Sequence, residues 1–565
     1  MEKNARWAIC MMIIKVERGK GMQYLDQKLC EYADTDMYPF HMPGHKRREL
    51  PFGNPYHIDI TEIDGFDNLH HAEGILKDAE ARAARLYGSD RCFYLVNGST
   101  CGLLAAICAA TAKKDKVLVA RNSHKAVYHA LYLNQLSAEY LYPVIMENDL
   151  QGHISPEQVK AALTKHPDIV AVIVTSPTYE GIVSDINGIA EAAHAHGVPL
   201  IVDSAHGAHL GFGHGFPESA VRLGADAVIM SLHKTLPSFT QTALLHLNGK
   251  RISEEKVKRY LGIFETSSPS YLLMAGMDAC VRMLEEQRET LFSDYRHMLN
   301  EFYRKTADLR NLHVMRAEEL KKEESYEWDD SKLVIFTDLS KQSVYSKQAV
   351  QSEQAVQPKL VNSSGPGVQS EQAVWSGLTG EQLHQILRRR YHLQMEMVSG
   401  RYVLGMTSIM DQKEGFDRLV RALYEIDENP QKVLDEIRNS QKSPGEADTS
   451  SSRLKDGERE SDAWEESALA AEEKDFIRRM YAKNRREMEI YQAIDLPYRE
   501  VPFEEAVGKM SADYIYLYPP GIPMIVPGEM ITDKFIAKIN ECIHQNLQIE
   551  GSTNLSRRRI NVVYF

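Results

Sequence analysis

The stretch PLIVDSAHGAHLGFGHGFPESAVRLGADAVIMSLHKTLPSFTQ, Pro199 to Gln241, decides how the rest of the chain is read. Pro199-Leu200-Ile201-Val202 is an apolar run of strand length that stops at Asp203, and Ala225 to Met230 is a second one that stops at Ser231-Leu232-His233-Lys234. Short continuous apolar runs of this kind read as buried strands. Both polar clusters then fall just beyond the C-terminal end of a strand, the edge at which open α/β sheets bind ligands.

The residues at that edge suit pyridoxal phosphate. This cofactor asks for a lysine to form a Schiff base, a carboxylate against its pyridine nitrogen, and hydroxyl and N–H donors for its phosphate. Lys234, Asp203 and Ser231 supply one of each. Raising a pyridinium pKa by two units takes ~2.7 kcal/mol. An ion pair at ~4 Å and an effective dielectric of ~20 offers ~4 kcal/mol, so Asp203 suffices. A solvated lysine and a helix-capping aspartate are the bland alternative. It leaves His206-Gly207-Ala208-His209 and Ser231-Leu232-His233 without a reason.

Working outward, apolar and amphipathic segments alternate: KVLVAR (116–121), HKAVYHALYLN (124–134), EYLYPV (139–144), a helix after Ser155-Pro156, IVAVIVTS (169–176) and a helix around 187–196. This is the rhythm of a mainly parallel sheet with helices on both faces. QTALLHL (241–247) adds a strand and residues 270–308 a long helix. Before the first of these units, the strand-like run Cys92 to Val96 leads through Asn97-Gly98 to Ser99 and Thr100 at the start of a helical stretch. Helix N-termini attract phosphate. Alone, Ser99 would be an ordinary cap; with Lys234 downstream, phosphate binding is the better reading.

A second α/β unit follows, with strands at 332–339, 394–398 and 401–406 and a helix at 379–391. Within it, SKQAVQ (346–351), SEQAVQ (352–357) and SEQAVW (370–375) form an imperfect repeat with little to bury, read as a flexible insert over 341–377. Residues 437–471 are polar and read as a linker. A last segment, 472–565, begins with a basic helical pattern and carries YPPGIPMIVPGE (518–529). The expected division is an N-terminal segment 1–75, a large domain 76–310, a small domain 311–436, the linker, and a C-terminal domain 472–565.

The motifs PFHMPGHK (39–46), DITEIDGFDNLH (59–70), FYLVNGST (93–100), RNSHKAV (121–127), TSPTYEG (175–181) and YPPGIPMIVPGE, with Asp203 to His209 and Ser231 to Leu236, resemble the ornithine/lysine/arginine decarboxylases of the aminotransferase-like fold. The resemblance runs from about residue 22 to the end. It implies an α/β fold with a large mainly parallel sheet domain, a small α/β domain and a C-terminal α+β domain, and a short form without the additional N-terminal domain of larger members. It also implies that Ser99, Thr100, Ser231 and His233 hold the phosphate, that His124 stacks on the pyridine ring, that Ala205 packs on a ring face and that His206 contacts ring substituents. His41 to Lys46 would help build the site near a dimer interface, and the C-terminal segment would pack close to it. Two positions depart from the pattern: Ser204 replaces a frequent glutamate, and Arg47-Arg48 stand where glycine is common.

The expected activity is decarboxylation of a basic amino acid, arginine first, with lysine or ornithine next, in polyamine synthesis. Lys234, His233, Asp203 and His124 are the catalytic candidates, and either Lys234 or His233 returns the proton. Asp59, Glu62, Asp64, Asp67 and Glu396 are the acidic candidates for the substrate's distal cation. Transamination or β-elimination is the rival chemistry, with Arg401 as the carboxylate anchor, and a catalytically silent binding homologue the rival class. The 565 residues carry a net charge of -13, which argues against nucleic acid as the main partner. No apolar run approaches the ~20 residues of a membrane span, and seven scattered cysteines without a Cys-x-x-Cys pair suggest reduced thiols in a cytoplasmic protein and no metal site. A homodimer or larger homo-oligomer is expected, and Met22 is a candidate natural start.

Overall fold

The computed structural model describes residues 28–29, 32–48, 54–146, 150–320, 326–337, 378–430, 432–433, 435–436, 483–518, 521–544, 547–551 and 555–564. The insert at 341–377, the linker at 437–471 and the candidate start at Met22 lie outside them. Residues 1–38 and 39–565 are separate compact units. In the first, residues 28, 29, 32 and 33 are helical. The rest concerns the second.

Its main sheet has seven strands: β1 (Arg91–Leu95), β2 (Lys116–Ala120), β3 (Ser137–Leu141), β4 (Ile169–Thr175), β5 (Leu200–Asp203), β6 (Ala227–Met230) and β7 (Ala243–Leu247). Their order is β1-β7-β6-β5-β4-β2-β3. β6, β5, β4, β2 and β3 are parallel, and β7 is antiparallel to both β1 and β6. The central strands read LIVD and AVIM with every residue buried, as a sheet covered on both faces requires. β7 can return antiparallel because only the turn around Lys234 separates it from β6; a parallel return would need a long crossover. The core formed by this sheet includes Leu103, Ile107, Val119, Tyr128, Ile173, Ile201, Ile229 and Leu245.

The helix Tyr271–Lys305 leads to a second, antiparallel sheet of β8 (His313–Val314), β9 (Lys332–Phe336), β10 (Met397–Val398) and β11 (Tyr402–Met406), in the order β8-β9-β11-β10. Its helices are Gly380–Arg390 and Lys413–Glu428. The C-terminal part pairs Tyr498–Pro502 with Arg559–Val563 and builds a three-stranded sheet around Ile515–Leu517. Phe503, Phe535, Ile539 and Ile560 form its core.

The basic helix expected at the start of this part is not continuous. Within the described residues it is limited to Ile490–Ala493, and Arg486 forms a β-bridge to Glu529 instead. The physical reason is tertiary: Asn484 Nδ2 donates to Glu529 Oε2 at 3.0 Å, and this buried carboxylate overrides a helix propensity worth tenths of a kcal/mol per residue. No helix among the described residues is long and apolar enough to cross a membrane.

Candidate active site

Sheet register assembles the site. Thr175 pairs with Asp203 and Asp203 with Ile229, so the ends of β4, β5 and β6 are level at one edge. Residues leaving those ends, with others from more distant segments, line a cavity of about 400 Å³. Ser99, Thr100, His124, Asp203, Ala205, His206, Ser231, His233 and Lys234 all border it, so the residues expected to bind the cofactor are brought to one place.

Lys234 sits in the short helix Leu232–Thr235 directly after β6. Its Nζ is 3.0 Å from His206 Nε2. Burial lowers its pKa, opposed by the charge of Asp203, which favours the neutral, nucleophilic amine. Asp203 is buried, and burial raises its pKa against the pull of Lys234. Its Oδ1 accepts the Ala205 N–H at 3.1 Å, which leaves Oδ2 for a cationic donor. Burial, then Lys234, pushes the His206 ring well below its ordinary pKa, and the ring lies 4.5 Å from that of Tyr179.

His124 caps the helix Lys125–Leu133, its Nδ1 accepting the Ala126 N–H at 3.2 Å. The proton of its neutral ring therefore sits on Nε2. Burial, reinforced by Lys234, lowers its pKa to about 3. His233 donates from Nδ1 to the Thr242 carbonyl at 2.9 Å, and burial lowers its pKa to about 4. Ser231 Oγ donates to Ser99 Oγ at 3.0 Å. The helix after β1 begins at Gly98 with Asn97 at its cap position, so Ser99 and Thr100 are in the first turn and free of the capping role.

The donor set fits pyridoxal phosphate. A helix start with two hydroxyl residues and Ser231 would hold the phosphate, Asp203 Oδ2 would meet the ring nitrogen, and His124 and Ala205 offer the two ring faces.

Segments far away in sequence complete the walls. Gly44 N–H donates to the His233 carbonyl at 2.6 Å, and a Cβ at Gly44 would lie 2.8 Å from the Leu236 backbone nitrogen, so only glycine permits this approach. Lys46 Nζ donates to the carbonyls of Pro39, His41 and Met406, which ties the turn to β11. Lys46 and Arg47 have φ of 51° and 63°. The left-handed backbone that glycine favours is thus kept at Arg47 despite its side chain. Arg121, buried, donates to Pro523 O at 2.6 Å and pairs with Glu529 at 3.2 Å, docking the C-terminal part, from which Tyr518 and Ile522 enter the cavity.

Of the acidic candidates only Glu396 lines the cavity. Its Oε2 accepts the Met42 N–H at 2.8 Å and its Oε1 the Tyr179 hydroxyl. Asp67 instead caps the backbone at Glu73, Gly74 and Leu76, while Asp59 and Asp64 are exposed and Glu62 is half-buried outside the cavity. Arg401 does not line it either. Gln151, Thr178 and Glu180 do, and sequence reasoning missed them. Glu180 lay within a quoted motif; Gln151 carried no local signal.

Comparison with known proteins agrees with this geometry. Residues 24–414 match the family described as Orn/Lys/Arg decarboxylase, major domain, and residues 475–543 match its C-terminal domain. An uncharacterized Bacillus subtilis protein is 30% identical, with 95% of this chain and 98% of its own length covered. A Bacillus subtilis arginine decarboxylase is 28% identical, with 95% and 96% covered. Among solved structures, a lysine decarboxylase from Francisella novicida has a TM-score of 0.69 at 19% identity, covering 95% of this chain and 80% of its own. The last likeness concerns the fold, which is the aminotransferase-like one. With both family domains matched along its length, this chain belongs to the Orn/Lys/Arg decarboxylase family.

Proposed function

We propose that the protein is a pyridoxal-phosphate-dependent decarboxylase of basic amino acids, with arginine as its substrate and agmatine as its product, serving polyamine synthesis in the cytoplasm. The observation that carries the substrate class is electrostatic. Two carboxylates, Glu180 and Glu396, border the same cavity as Lys234, and neither has a cationic side chain within 4.0 Å among the described residues. Carboxylates lining a cavity without an ion pair of their own favour a cationic ligand. The preference for arginine is supported by the arginine decarboxylases among the relatives.

The bound cofactor supplies an electron sink for the pair of electrons left when the substrate carboxylate departs as carbon dioxide. The chain's residues hold, orient and move protons. Lys234 carries the cofactor, with His206 orienting its Nζ. Asp203 keeps the ring nitrogen protonated. Ser99, Thr100 and Ser231 hold the phosphate, and His124 lies on the ring. Lys234 also returns the proton to the α-carbon. His233 is the weaker candidate, because its one ring proton is committed to the Thr242 carbonyl. Transamination loses its carboxylate anchor, since Arg401 is not at the cavity.

The domain boundaries expected from the sequence are kept as part of this reading. So is a homodimeric working unit, which the exposed large apolar side chains of Tyr56, 85% exposed, and Ile63 support. Light scattering of the active enzyme checks this; a fully active monomer contradicts it. The decisive experiment incubates enzyme and cofactor with arginine, lysine and ornithine in turn and measures carbon dioxide and amine. Carbon dioxide released fastest from arginine is expected. Faster release from lysine or ornithine overturns the substrate, and keto acid without carbon dioxide overturns the reaction.

A further inference from the structure

Glu180 and Gln151 are buried polar residues facing the cavity; no step above uses Gln151, and Glu180 has entered only as one of two carboxylates at the cavity. Glu180 is 9% exposed and Gln151 7%. Glu180 is held rigidly. Its Oε1 accepts the Tyr402 hydroxyl at 2.9 Å and its carbonyl accepts Trp328 Nε1 at 2.9 Å. The next residue, Gly181, has φ +99°, and a Cβ there would sit 2.7 Å from the Asp329 carbonyl oxygen. The segment is thereby fixed against Asp329 and Trp328, with the carboxylate buried at the Tyr402 hydroxyl. Gln151 Oε1 is shielded from water and has no hydrogen-bond partner, although Ile145 bridges Gln151 through the backbone and fixes its position. The sequence neighbours of the two residues, Leu150 and Tyr179, belong to one apolar cluster with Trp328 and Tyr402. Both polar groups thus enter the cavity beside the same wall. Asn122 Oδ1 is a further unpartnered atom among the described residues, and it adjoins Ser123-His124 at the other end of the cavity.

We propose that Glu180 and Gln151 form the subsite for the distal cationic group of the substrate, and that Gln151 makes this subsite prefer a guanidinium to an ammonium. The proposal rests on the basic amino-acid reading given above. A buried carboxylate without a counter-ion and a buried carbonyl without a donor are each costly until a ligand supplies both. A guanidinium presents five N–H donors in a rigid planar fork and can serve the carboxylate and the amide oxygen together. An ammonium is a compact charge that the carboxylate alone can satisfy, which would leave Gln151 unpaired.

The test is calorimetric binding of agmatine and of cadaverine to the cofactor-loaded enzyme, with the visible spectrum and thermal melt as checks on site and fold. Gln151→Leu is expected to weaken agmatine roughly 10-fold, the loss of one hydrogen bond from a charged donor, and to leave cadaverine within about twofold. Glu180→Gln is expected to weaken both amines by roughly 10-fold or more. Gln151 makes no side-chain hydrogen bond among the described residues, so its variant keeps the proposal falsifiable if Glu180→Gln fails to fold. Unchanged agmatine binding in Gln151→Leu overturns the guanidinium preference, and unchanged binding of both amines in Glu180→Gln overturns the subsite. These failures are separable from failure of the broader reading, which would appear in the wild-type enzyme as release of carbon dioxide from none of the three basic amino acids.

Discussion

Two buried sets of aspartate, lysine and histidine draw on the same turn after β5, and they are built in opposite ways. His206 belongs with Asp203 and Lys234; His209, three residues on, belongs with Asp329 and Lys332. In the second set every charge is met. Lys332 Nζ is 2.9 Å from Asp329 Oδ2, His209 Nε2 is 3.1 Å from Asp329 Oδ1, and all three side chains are buried. Burial alone would raise the Asp329 pKa, but His209 and Lys332 pull it well below the usual carboxylate range. In the first set no ion pair within 4.0 Å joins Lys234 to Asp203, burial moves both pKa values towards the neutral forms, and the cavity opens beside them. A closed cluster whose charges are paired stabilises a fold. One left unsatisfied is poised for a ligand.

Substitutions at the two lysines should therefore fail differently. Lys234→Ala is expected to abolish the visible absorbance of the bound cofactor and to cut turnover by ~10³-fold or more, while the thermal melt stays near that of the wild-type protein freed of cofactor. Borohydride reduction and peptide mapping should label Lys234; a label on Lys332 would invert the comparison. Lys332→Met should do the reverse. Leaving Asp329 with one partner costs ~3 kcal/mol or more, read as a lower urea midpoint, yet the protein that remains folded should still show the cofactor absorbance.

Acid sharpens the same contrast. Because the folded pKa of Asp329 is depressed, its contribution is complete above the unfolded carboxylate value of ~4 and is lost as pH falls through the folded value. The stability gap between the wild type and Asp329→Asn should hold from pH 7 to about 4 and narrow below that. A gap that stays constant down to the acid limit would show that Asp329 does not act through its charge. The smallest effect is expected for the insert. It follows β9, the strand that starts at Lys332, and long surface loops cost little in closure entropy. Shortening 341–377 should leave the rate within a few-fold and the melt unchanged; loss of activity in a folded protein would mean that the insert reaches one of the clusters.

The sequence by itself determined the fold class and the cofactor edge. Runs such as LIVD and AVIM are apolar throughout because both faces of a parallel sheet are covered, and a polar residue at the end of such a run must lie at the sheet edge. Asp203 and Lys234 were legible for that local reason. The tertiary structure alone decided which buried polar side chains line the cavity. Glu396, Glu180 and Gln151 reach the cavity from three separate segments, whereas Asp59, Asp64 and Asp67, inside the motif at 59–70, do not. It also paired Arg121 with Glu529, 408 residues away, closed Lys332 into an ion pair with Asp329 and set Lys234 at the cavity. Distances between remote segments are set by the packing of whole layers, and no periodicity within a single segment encodes them.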